Sequence, residues 1–222
     1  MKNRVCIFID GGNFYHLVLK KLELQELDFN FEEFATFLSG NRVISEMGKR
    51  FYVGTVREKE GDPRSKEAMS RQTSFFAVLK KTQWEIKTSK LKTRIEEIPV
   101  DSRVVDYEKL KKLGITKITF ERLREKGIDV KLATDLIVGA IDNKYDTAIV
   151  VSSDSDLVPA IDWVRHRMKK KVEYVGFSIA DKRSEKNNTT PLLSMISRTD
   201  TQRTLVESDI RRFGNKRDEE TK

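Results

Sequence analysis

Four aspartates stand where an acid is out of keeping with its neighbours. Asp10 ends an apolar run, residues 5–9, and is followed by Gly11 and Gly12, which are expected to let the backbone turn tightly beside it. Asp154 and Asp156 follow a second apolar run, residues 147–151. Asp129 sits at the start of a helical pattern, on the same face as Leu132, Ala133, Leu136 and Ala140. An acid on an apolar stripe is either paired or functional. If these carboxylates meet in space, they cannot all stay ionised without a cation. Hard divalent ions such as Mg2+ or Mn2+ take carboxylate oxygens and keep several waters. Such ions activate water and neutralise phosphate charge. Asp135, at the edge of the same stripe, is a weaker candidate.

Other chemistries are poorly supplied. The only histidines are His16 and His166, set in a helical turn and a basic run. The single cysteine, Cys6, lies in the first apolar run and excludes both an internal disulfide framework and a cysteine zinc cage. Gly11-Gly12-Asn13 is too short for a phosphate loop and lacks its Gly-Lys-Ser/Thr ending. Gly12 stands where an aspartyl-phosphate enzyme has its second acid. Each aspartate also has an ordinary explanation. Asp154, Ser155 or Asp156 could cap the helix that carries Pro159; Asp10 could be a turn residue, and Asp129 a partner of a helix dipole. Their joint occurrence is what carries the metal reading.

The elements that must position these groups alternate. Strands are expected at 5–9, 50–56, 84–88, 147–151 and 172–176, and helices at 14–22 (capped by Asn13), 31–38, 66–81, 130–141 and 157–168. Alternation of this kind gives an α/β fold, a central and mainly parallel sheet covered on both faces. Ligands in such folds sit at the carboxyl ends of the strands. Asp10 and the Asp154/Asp156 pair therefore emerge on one sheet edge, although periodicity does not reveal the strand order. Residues 1–180 read as one domain with a basic insertion around 89–125, inside which 117–124 could form a short element. Residues 181–222 read as a C-terminal helical extension with a frayed tail from 214.

The chain has 222 residues and a net charge of +8. A basic surface around an acidic site suits a polyanion, although many soluble proteins are basic without binding one. Candidate phosphate contacts are Lys87, Lys90, Lys92 and Arg94, at the edge of the insertion, and the run 165–171. There is no apolar stretch near the roughly 20 residues of a membrane helix. The N-terminus lacks a signal-peptide pattern, so a cytoplasmic protein is expected.

The opening Ile-Asp-Gly-Gly-Asn (9–13), the segment Lys-Gly-Ile-Asp-Val-Lys-Leu-Ala-Thr-Asp (126–135), Val-Ser-Ser-Asp-Ser-Asp-Leu-Val-Pro (151–159) and the strand 171–177 together resemble the NYN domain family, in its LabA-like branch, a group of PIN-like nucleases. The resemblance spans roughly 5–177 and is loose between 58 and 125. It implies a Rossmann-like, three-layer PIN fold and Mg2+- or Mn2+-dependent cleavage of single-stranded RNA. By motif position it implies Asp10, Asp129, Asp154 and Asp156 as the metal-holding, catalytic acids. Asn13 is the polar neighbour that orients substrate, and Asp135 the second acid of the middle motif. Ser153 stands where many relatives have glycine. The resemblance fixes fold more firmly than activity, so a non-catalytic RNA- or protein-binding module stays open. So does assembly into a homo-oligomer.

Overall fold

The structure, a computed structural model, describes residues 3–56, 58, 61–90, 92–124 and 127–214; at 90, 92, 93, 123 and 124 it describes the backbone alone. In chain order the elements are β1 (Arg4–Asp10), α1 (Gly11–Phe14, continued by a π-helical turn Tyr15–Leu19), α2 (Phe31–Ser39), β2 (Val43–Thr55), α3 (Pro63–Lys81) and β3 (Trp84–Lys90). Then come β4 (Lys92–Pro99), α4 (Tyr107–Lys112), β5 (Lys117–Arg124), α5 (Ile128–Ile141), β6 (Thr147–Val151) and α6 (Val158–Met168). The chain closes with β7 (Lys171–Ser178), α7 (Leu193–Arg198), β8 (Thr201–Val206) and α8 (Glu207–Arg211).

Six strands form one parallel sheet in the order β3-β2-β1-β6-β7-β8. β1 and β6 lie side by side at its centre, and the chain winds outward from each in opposite directions. Apart from their polar end residues both strands are apolar, because both of their faces are covered. Val5, Ile7 and Ile9 enter a core shared with α1, α2 and α3. Cys6 and Phe8 enter the opposite core, built on α5 and α6. Cys6 is buried, its thiol donating to the Gly48 carbonyl at 3.2 Å. An aromatic cluster holds α1 beneath the sheet edge: Phe14 meets Phe29, Phe31 and Phe34 at centroid separations of 5.4, 6.1 and 5.6 Å. Pairs of this kind contribute about 0.5–1.5 kcal/mol each beyond their burial.

Four expectations change. The first helix starts at Gly11, and its cap is Asp10 rather than Asn13: Asp10 Oδ1 accepts the Asn13 amide at 2.9 Å. Gly11 is not a tight-turn residue. It is buried where an added Cβ would lie 2.3 Å from the Phe51 ring, so its lack of side chain lets α1 press on β2. β2 begins well before residue 50, its early half interrupted by a register shift opposite Val5–Ile7. Finally, the chain beyond 180 is not only helical, since β8 pairs in parallel with β7 along Glu173–Ser178. The basic insertion is an antiparallel arm, β4 against β5 from Lys92↔Arg124 to Pro99↔Lys117, with α4 at its far end. It leaves the carboxyl edge of the sheet at the end of β3 and returns there through Gly127. That residue has a φ of +86°, a left-handed conformation suited to glycine, and it opens α5.

Candidate functional site

β1 and β6 are neighbours, paired from Val5↔Thr147 to Ile9↔Val151, and the next residues of each strand stand at the carboxyl edge. This is the point where strand order reverses, the usual ligand crevice of an open α/β sheet. Asp10 closes β1 there, and Ser152, Ser153 and Asp154 follow β6. Asp129 arrives from a third direction, in the first turn of α5.

A continuous chain of hydrogen bonds fixes the two central loops. Ser152 is buried; its hydroxyl donates to Asp10 Oδ2 at 3.1 Å and accepts the Asp154 amide at 3.2 Å. Asn13 Oδ1 accepts the Ser153 amide at 3.0 Å. Asp154 Oδ1 accepts the Asp156 amide at 2.8 Å and so caps the turn leading into α6. The ordinary capping reading of this segment is therefore true of Asp154, alongside whatever else the residue does. Ser153 lies within 3.1 Å of the Tyr174 hydroxyl, which accepts the Leu192 amide at 3.0 Å. The serine at this position thus links the loop to β7 and to the segment before α7.

The four acids differ in exposure. Asp10 is 6% exposed, Asp129 and Asp154 are half-buried, and Asp156 is exposed. Burial, reinforced by the charges of Asp129 and Asp154, pushes the Asp10 carboxyl up to about 6, against the lowering effect of the Asn13 amide and the Ser152 hydroxyl. Asp129 is likewise raised, by burial and then by the charges of Asp154 and Asp156. Asp10 is thus within electrostatic reach of Asp129 and Asp154, and Asp129 within reach of Asp154 and Asp156. Their donor set is all carboxylate oxygen, which fits Mg2+ or Mn2+. Among the described residues, no three acidic or imidazole side chains close around a single ion position. An ion here fits as Mg2+ commonly does, through one or two carboxylates with water completing its shell.

The remaining candidates lie apart. Asp135 accepts from Arg50 Nη1 at 2.7 Å and from the Tyr52 hydroxyl at 2.8 Å, a structural pairing within the sheet–α5 layer. Lys87 is paired with Glu85 at 2.6 Å. Arg94 is exposed on the arm opposite Arg122, with no ion pair of its own among the described residues. The side chains of Lys90 and Lys92 lie outside the described residues. The run 165–171 is at the amino end of β7, the far edge from the acids. Arg165 there is bound to Asp200 at 2.8 and 2.9 Å, and Lys170 to Asn143 at 2.5 Å. Ser152 is the positioning residue that motif reading passed over. Its signal was a hydroxyl in the first place after a wholly buried strand.

Residues 4–195 match the family model of the NYN domain. No curated protein matches the chain. Among solved structures, the chain is similar to a protein of unknown function from Vibrio parahaemolyticus. The TM-score is 0.56 at 18% identity, over 94% of this chain and 96% of that one. A likeness at that identity speaks for the fold alone.

Proposed function

The chain belongs to the NYN domain family, and from that premise we propose that it is a metal-dependent ribonuclease of the LabA-like branch, hydrolysing phosphodiester bonds of single-stranded RNA in the cytoplasm. The observation that supports this reading is the convergence of Asp10, Asp129, Asp154 and Asp156. They come from three segments of the chain, and two of them are raised by burial and by the charges of their neighbours. These four would hold Mg2+ or Mn2+. Such an ion, when bound, supplies an activated water and neutralises charge on the scissile phosphate.

The chain's own groups divide the remaining work. Asp10, buried and held by two donors, is the rigid ligand at the floor of the crevice. Asp156, the most exposed, faces incoming substrate and water. Asn13 holds the two loops in register through its Oδ1, leaving its amide nitrogen for a phosphate oxygen. The arm carries Arg94, with Lys90 and Lys92 at its root, and its two strands start and end at the same edge as the acids. It would follow the sugar-phosphate backbone as the strand leaves the site. No described helix is long and apolar enough to cross a membrane.

A second reading, a non-catalytic RNA-binding module on the same fold, is favoured by the open spacing of the acids. One incubation separates the two: mixed single-stranded RNA with Mn2+, with Mg2+ or with EDTA, beside an Asp154→Asn protein. Cleavage that needs metal and disappears in the variant supports the nuclease. Metal binding without cleavage supports the module.

A further inference from the structure

A second cavity opens beside the acids and takes no part in holding an ion. It lies between the turn at Gln25–Leu27 and α3, and encloses about 490 Å3. Gly11 and Gly12, the residues that follow Asp10, form its inner wall, and Val53 and Phe75 its apolar floor. Tyr15 and His16 also line it, their rings edge to face at 5.2 Å. Glu26 lines it as well, half-buried, with no hydrogen bond or ion pair to its carboxylate among the described residues. Pockets for small organic ligands run to about 300–1,000 Å3, mostly apolar with a few placed polar groups. At about 490 Å3 this cleft falls within that range.

We propose that this cleft is a nucleobase subsite, taking one unstacked base of the RNA strand whose phosphate lies at the carboxylates, with the Tyr15 ring beside the base and Glu26 at its hydrogen-bonding edge. The placing of the phosphate rests on the ribonuclease reading; capture of the base does not require cleavage. Sequence-dependent recognition of single strands works in this way, by splaying bases onto aromatic side chains and bonding their edges.

The chemistry of Glu26 sets which bases fit. Burial pushes its carboxyl up to about 7. The protonated form offers one donor and one acceptor, whereas the ionised form only accepts. Adenine and cytosine present a ring-nitrogen acceptor beside an amino donor, so both need the protonated acid. Guanine presents two adjacent donors, which the carboxylate matches. Four other titratable groups face or flank Glu26, the Tyr15 phenol among them. Arg71, on α3, is paired with Glu67 at 3.2 Å. His16, on the π-helical turn, is held below its usual value by burial and by Lys20. Asp28 shares the turn that carries Glu26. Binding of adenine and cytosine therefore weakens as the pH rises through about 7, while binding of guanine does not.

The test is fluorescence anisotropy with labelled single-stranded oligoadenylate and oligocytidylate in EDTA, so that no cleavage intervenes. Ala68→Trp fills the cleft from the half-buried face of α3 and should weaken both oligonucleotides by about tenfold or more. Glu26→Gln keeps a donor and an acceptor but cannot ionise. It should bind as wild type below the transition and lose the weakening above it. Wild-type affinity in Ala68→Trp, or an unchanged pH profile in Glu26→Gln, overturns the subsite and leaves the ribonuclease reading standing. A wild-type protein that binds neither oligonucleotide overturns the subsite alone, because the ribonuclease reading relies on an ion that EDTA removes.

Discussion

Asn13 accepts the backbone amide of Ser153 at 3.0 Å, across 140 residues of sequence. That bond ties the start of α1 to the loop after β6, and so sets the separation of Asp10 from Asp154. Asn13→Ala leaves a half-buried amide without its acceptor and should cost about 1–2 kcal/mol of stability. RNA cleavage should fall further than stability does, by about tenfold or more, because misplaced ligands act on the chemical step. Thermal melting beside cleavage kinetics checks the pair. Full activity in the variant would show that the bond does not position the acids.

Ser152→Ala removes the hydroxyl that bridges Asp10 and Asp154. The buried Asp10 carboxylate then loses a donor that favours its charged form, so its ionisation becomes harder. Weaker Mn2+ binding follows, with a stability loss of about 1–2 kcal/mol. Calorimetric titration with Mn2+ would read it. An unchanged affinity would remove Ser152 from the account.

The pH dependence has a definite sign. Asp10 is pushed up to about 6, from an ordinary value of about 4. In the metal-free protein its contribution to stability is fully present below the unfolded value and is lost as the pH rises through about 6. Asp10→Asn should abolish that share, about 2–3 kcal/mol between acid and neutral pH. Glu26 has the same sign at about 7, but it remains in both proteins, so their difference isolates Asp10 and the groups coupled to it. Denaturant melts in EDTA across the range measure it, and parallel stability curves for the two proteins would contradict the burial argument.

Gly11→Ala drives a methyl into the Phe51 ring and towards the Tyr52 carbonyl oxygen, 3.0 Å away. Overpacking of this kind costs about 1–3 kcal/mol. A melting temperature equal to wild type would mean that α1 and β2 separate without cost.

Arg94→Glu should weaken RNA binding uniformly across sequences and lower the salt slope by about 1. A slope identical to wild type would take the arm off the RNA path.

How much of this could be read from the chain varies element by element. β1 and β6 are buried on both faces, so they appear as unbroken apolar runs and their ends are plain. β8 is an edge strand with one buried residue, Leu205, and its polar sequence hides it. The first half of β2 is obscured by its register shift. The acids were legible singly, through the misfit of charge and pattern. Their meeting depends on β1 lying beside β6, a fact of strand order that no local pattern carries. Lys87 and Arg165 looked free in sequence because their partners, Glu85 and Asp200, become neighbours only through strand geometry and folding.

The most direct test of the acid cluster is a Mn2+ titration of wild-type, Asp10→Asn and Asp154→Asn proteins, read both as thermal stabilisation and as cleavage of single-stranded RNA. Wild type should gain stability and activity over the same Mn2+ range, because an ion that binds only the folded chain stabilises it by mass action. Both variants should lose the two responses together. Undiminished stabilisation and cleavage in either variant would contradict a shared ion site at these carboxylates.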